Sequence, residues 1–158
     1  MAALIFAAGS GLDGARAQEF GDSADVQAIG PTAVPDWLDV KDPMSPDRWL
    51  ASRQAGELLT ETDPSVTQAR RLLFIAGTRF SESPRMIANR TVQISEMLHA
   101  DAPDETPMAV LEGLTDVVER NASKTPFGEL CQHYYNLRAQ GLDRIEALGA
   151  LRTTYGRS

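Results

Sequence analysis

Residues 83–98 read SPRMIANRTVQISEML. A serine stands before a proline, and apolar residues follow at helical spacing. The serine oxygen can accept from an orphan N–H of a first helical turn. Proline at the first helical position lacks an N–H that would go unpaired anyway. The same pairing recurs at Ser45-Pro46, Asp63-Pro64, Thr106-Pro107 and Thr125-Pro126, each ahead of an apolar stripe. Asp143, with Glu146 three residues on, adds a capping box. One such dipeptide says little; five in register with apolar periodicity mark helix starts.

These starts predict helices over 46–60, 64–80, 84–99, 107–121, 126–139 and 144–155. No segment has the β-branched alternation of a strand. The starts lie 18, 20, 23, 19 and 18 residues apart. A compact antiparallel bundle with short loops gives such spacing, and so does a short solenoid of helical hairpins. Aligned on one another, the hairpins share their caps and little else, which favours the bundle. The expected fold class is all-α, with about six helices.

The stripes supply the core. Val66, Ala69, Leu72, Leu73, Ala76 and Phe80 line the second helix; Met108, Leu111, Leu114, Val117 and Val118 line the fourth. Phe127, Leu130, Cys131, Tyr134 and Leu137 line the fifth. At 158 residues and 42% hydrophobic, the chain suits one globular domain. Its single Cys excludes an intramolecular disulfide and a four-Cys metal site. A net charge of -7 argues against nucleic acid, whose binding rests on basic charge.

The N-terminal end reads differently. Residues 2–8 form a short apolar run, and Ala15-Arg16-Ala17 precedes Gln18. Small residues at -3 and -1 match a signal-peptide cleavage site. The basic n-region is missing; a start upstream of Met1 would supply it. Residues 1–17 are therefore read as a signal peptide, 18–44 as an acidic disordered leader, and 45–158 as the helical domain. The run is too short to span a bilayer, so no transmembrane segment is expected in the mature chain. Within the leader, Trp37 and Leu38 are the bulky apolar pair, suited to docking on the domain or to a binding motif.

Charge alternates in blocks. Residues 18–63 carry -7, 64–95 carry +4, 96–125 carry -5 and 126–158 carry +1. The basic block holds Arg70, Arg71, Arg79, Arg85 and Arg90. These arginines either pair with acidic neighbours in the fold or form a patch for an acidic partner. Arg90 falls between Met86, Ile87, Ile94 and Met97, in the middle of the third helix's apolar stripe. A buried Arg there needs a pairing partner, a stem that reaches to water, or an anion.

Catalytic chemistry has thin support. Cys131 and His133 point to opposite faces of one helix, and two isolated His do not make a metal site. Neither a metal nor a cofactor is expected. Glu129 and His133, four apart, could form an acid–base pair or a solvated helix pair. Tyr134, Tyr135 and Tyr155 could cluster in the core, or Tyr135 could join Trp37 in an aromatic contact surface. The last two helices resemble a helix-turn-helix in outline.

Three functional readings follow. The leading one is a periplasmic or secreted, non-catalytic accessory subunit that binds an unidentified protein in an envelope assembly. The second is a small hydrolase or lyase using Glu129, His133 and Arg90. The third is a cytosolic regulator with a C-terminal helix-turn-helix.

Overall fold

A computed structural model describes residues 33–119 and 124–156. The signal-peptide reading, and the leader up to residue 32, lie outside the described residues. Six helices follow in order: α1 Pro46–Ala55, α2 Pro64–Arg79, α3 Pro84–Leu98, α4 Pro107–Val117, α5 Phe127–Ala139 and α6 Arg144–Tyr155. Among the described residues there is no strand; Phe80 and Thr125 form an isolated bridge.

Local chemistry sets most of the ends. Asp63, Ser83 and Thr106 each accept from a backbone N–H of the following first turn. Asp143 and Glu146 form the reciprocal capping box. Two expected caps differ. Ser45 makes no side-chain cap bond. Thr125 is held one step out, because its backbone pairs with Arg79 and Ser81, so Pro126 takes the N-cap position of α5. Two helices are also shorter than predicted. α1 stops at Gly56, whose φ of 74° is the left-handed conformation glycine adopts without strain. α4 stops where Val118 turns extended.

The architecture is the expected all-α bundle. α1, α2, α3 and α4 touch one another in every pairwise combination, diagonals included. The α5–α6 hairpin packs with α5 on α3 and α6 on α4. One core joins Leu38, Trp49, Phe80, Ile87, Leu111, Phe127, Tyr134 and Leu151.

The core extends beyond the predicted start of the domain. Within 33–44, where a disordered leader was expected, two side chains are anchored in the core. Leu38 and Met44 are buried. The Asn89 side chain accepts from the Leu38 N–H at 2.9 Å and donates to its carbonyl at 3.0 Å. Trp49 Nε1 donates to the Pro35 carbonyl at 2.8 Å. Buried backbone groups must find partners, and here side chains of α1 and α3 supply them.

Candidate functional site

The five arginines of the basic block go to different places. Arg70 Nε meets Asp47 at 2.7 Å and its Nη2 meets Glu61 at 3.5 Å. Arg85 donates to the carbonyls of Asp39, Asp42 and Met44, tying the 39–44 loop to α3. Arg79 turns inward, donates Nη1 to the Thr115 carbonyl and sits 3.7 Å from Asp116. Arg71 is exposed on the outer side of α2. The basic block thus serves mainly to bind neighbouring segments, with Arg70 and Arg71 on the surface.

Arg90 sits at the edge of the buried face of α3 and not at its middle. The inward face carries Ile87, Ala88, Asn89, Thr91, Val92, Ile94, Ser95 and Leu98, so Ile87 and Ile94 are buried as expected, while Met86 and Met97 are exposed. Thr91 and Ser95 turn inward because each hydroxyl has a buried carbonyl to donate to, that of Ile87 and that of Glu105. The Arg90 guanidinium lies against Gly128; a Cβ there would come within 3.0 Å of it.

Between α2 and α4 runs a groove of about 320 Å³. Gln68, Arg71, Leu72, Ile75 and Arg79 line one wall, and Glu112, Thr115 and Asp116 the other. Arg79 is 8% exposed and Thr115 2%. Beside this groove, Phe74 stands 75% exposed on α2. It shares a shallow apolar recess with Pro46, Leu73 and Pro84, with Arg70 and Asp47 at its edge. The outer side of α2 therefore offers an aromatic ring, two guanidinium groups and a polar groove side by side.

The acid–base candidates meet through a third residue. Tyr155 donates its hydroxyl to Glu129 at 3.2 Å, and its oxygen lies 3.4 Å from His133 Nδ1. The His133 and Tyr155 rings meet edge to face at 5.9 Å. Burial and the Glu129 carboxylate both push the Tyr155 hydroxyl up from its ordinary value. Arg90 rests on the Gly128 side of α5, about 100° round the helix from Glu129. Cys131 is buried, and burial pushes its thiol up to about 12, which leaves it protonated and unreactive. No group of three His, Cys, Asp or Glu is placed to hold a metal among the described residues. Trp37 is half-exposed although its neighbour Leu38 is buried. Tyr135 is half-buried and lines a cavity of about 330 Å³ with Met97 and Arg138.

Two carboxylates that the sequence reading passed over organise the C-terminal half. Glu82, in the α2–α3 turn, accepts from the N–H groups of Phe127 at 2.8 Å and Gly128 at 2.9 Å. It caps α5 from 45 residues away. Burial, the largest single influence, pushes its carboxyl up, but the hydrogen bonds from the Gly128 and Phe127 N–H groups, its own N–H and the Ser81 hydroxyl together hold it below the usual value. Glu105, in the α3–α4 turn, is fully buried. It accepts from Tyr134 at 2.5 Å and Arg144 at 2.6 Å, with Arg138 Nε at 3.2 Å. Arg144 also donates to the Ala109 carbonyl. The first charged residue of α6 is thus turned into the fold, away from any groove-reading position of a helix-turn-helix. A signal for Glu105 existed: Tyr134 and Arg138 are four apart, on one face of α5, and both seek an acceptor.

Comparisons with known proteins bear on the whole helical region. A family described as MoxZ matches residues 47–156. Protein MoxZ of Paracoccus denitrificans is 36% identical over 114 residues, covering 72% of this chain and 65% of that protein. The chain thus spans slightly under two thirds of that relative's length. No solved structure matches.

Proposed function

The chain belongs to the MoxZ family, and on that premise we propose that it is a non-catalytic accessory protein of the methanol oxidation system. It acts by binding another protein in the cell envelope. The observation that carries this reading is the family match, which runs from the first turn of α1 to the end of α6. The envelope part rests on the sequence of residues 1–17, whose apolar run and Ala15-Arg16-Ala17 triplet suit export. The outer side of α2 supports protein binding. A large ring exposed beside arginines is the composition of an interface anchor.

Deleting the coding sequence in the native host tests the role. Growth on methanol should fail while growth on succinate continues, and the full-length chain supplied in trans should restore it. Intact mass of the protein recovered from that host tests export: the expected product begins at Gln18. Unimpaired growth of the deletion strain on methanol would overturn the accessory role. An unprocessed N-terminus would overturn the envelope location.

A further inference from the structure

At one end of the bundle the basic side chains turn inward and the acidic ones stay outside. Residues 97–106 and 135–146 hold five acids and two bases, net -3. The two bases, Arg138 and Arg144, are both engaged with the buried Glu105. The other four acids, Asp101, Asp104, Asp143 and Glu146, are exposed. These segments therefore show an acidic surface that their own arginines do not cover.

A cavity of about 330 Å³ opens at this end, with room for one long side chain. Met97, Leu98, Tyr135 and Leu142 form its apolar walls, and Asp101 and Asp143 also line it. Met97 is 47% exposed, and Tyr135 and Leu142 are half-buried. Arg138 lines it too, but its charge and hydrogens are committed: Nε faces Glu105 at 3.2 Å and Nη1 donates to the Leu142 carbonyl at 2.7 Å. Leu98 and Ala139, the last residues of α3 and α5, reach the cavity. Helix C-termini carry partial negative charge and favour a cation. The positive end of α6 lies alongside, already closed by the Asp143–Glu146 box.

Apolar walls, an aromatic ring and uncovered carboxylates suit a guest with an apolar stem and a cationic head. Lys and Arg side chains have that form, burying their methylenes while the head stays near water. A phenol ring adds attraction for the cation. A carboxylate guest would meet Asp101 and Asp143 as like charges. A second copy of this chain, itself at -7, would be repelled overall.

We infer that the cavity at the C-terminal ends of α3 and α5 binds a lysine or arginine side chain from a basic segment of the partner protein. The stem lies along Met97, Tyr135 and Leu142, and the head meets Asp101 and Asp143. This deepens the protein-binding reading proposed above and rests on it, with contacts separate from Phe74 on the outer side of α2.

The test titrates the full chain, labelled with ¹⁵N, with three blocked peptides: acetyl-Ala-Lys-Ala-amide, the same peptide with norleucine for the lysine, and the same with glutamate. The lysine peptide should shift the Asp101, Tyr135 and Leu142 amides in a saturable way, less tightly as sodium chloride is raised. The norleucine peptide, with the same stem and no charge, should bind more weakly, and the glutamate peptide should leave the three amides in place. Asp101→Asn and Asp143→Asn should each weaken the lysine peptide by about two- to fivefold. Asn keeps the α6 cap, so Asp143→Asn should remain folded. Asp101→Glu should restore binding. Unmoved amides would overturn the proposal, and so would equal binding of the norleucine peptide, which would leave an apolar recess only. Shifts of the same amides on concentrating the protein alone would assign the cavity to a second copy and overturn it too. Failure here is distinguishable from failure of the accessory role. If the double variant Asp101→Asn, Asp143→Asn supports growth on methanol as well as the unaltered chain does, the cavity assignment falls and the accessory role stands.

Discussion

Tyr134 donates its hydroxyl to Glu105 at 2.5 Å, and both side chains are sealed from solvent. The carboxylate also holds Arg144 and Arg138, so one acidic side chain from the α3–α4 turn fixes α5 against α6. Removing it leaves both guanidinium groups without their carboxylate, each keeping one carbonyl acceptor, and breaking a buried pair costs about 3–5 kcal/mol. Glu105→Ala is expected to lose about that much, measured by urea unfolding. Tyr134→Phe leaves the two arginines in place and should cost about 1–2 kcal/mol. An equal, small loss for both variants would show that the hub is not cooperative.

High pH should weaken the fold. Burial, with the Glu105 hydrogen bond second, pushes the Tyr134 hydroxyl above its ordinary value of 10.0. Burial pushes the Cys131 thiol from 9.0 to about 12. Both groups lose their protons more easily in the unfolded chain. The stability they contribute is complete below about pH 9 and falls as the pH rises through the unfolded values. Urea midpoints between pH 8 and 11 should decline, and Tyr134→Phe should flatten the upper part of that decline.

The acid limb depends on Glu82. Its folded value lies below the ordinary 4.5: burial raises it, and the hydrogen bonds from Gly128, Phe127, its own N–H and Ser81 together lower it further than burial raises it. Its contribution is present above about pH 4.5 and is lost as the pH falls through the folded value. Glu82→Ala removes the α5 cap and should cost about 0.5–2 kcal/mol at neutral pH. The variant should show a shallower loss between pH 5 and 3 than the parent chain, both followed by circular dichroism.

Phe74 separates binding from folding. At 75% exposure it holds little of the core together, so Phe74→Glu should change stability by less than about 0.5 kcal/mol. The same variant should fail to restore methanol growth to the deletion strain. Full restoration would remove the outer side of α2 from the interface.

Arg90 is expected to be replaceable. Its guanidinium lies on Gly128 and its Nε has no partner in the protein. Arg90→Met keeps the stem packing and should alter stability by no more than about 1 kcal/mol. A loss of several kcal/mol in thermal or urea unfolding would mean that the arginine head carries an interaction the packing does not reveal.

The legible part of the fold was the part that local chemistry decides. Asp63, Ser83, Thr106 and the Asp143–Glu146 box act within their own first turns, and the sequence displays them directly. Thr125 and Glu82 were misread or missed because the relevant contacts are long-range. The extended bridge with Phe80 moves Thr125 off the cap position, and Glu82 reaches α5 across two helices. The inward face of α3 was misplaced for a different reason. Apolar periodicity counts Thr91 and Ser95 as outward, yet both are buried once their hydroxyls find carbonyls. The α2–α4 groove was half legible: Arg71 and Arg79 stand out by their charge, while Thr115 carries no signal until α4 lies beside α2.

The clasp between Asn89 and Leu38 also sets a practical limit on how the protein can be cut. Asn89 satisfies both backbone groups of Leu38, as a neighbouring strand would. A recombinant fragment beginning at Ser45 would lack that strand-like segment. It would uncover the seat of Leu38 and leave the Trp49 indole and the Asn89 amide without their acceptors and donors. Fusion tags and protease sites therefore belong upstream of Val34, and a fragment trimmed to the helices alone is expected to aggregate.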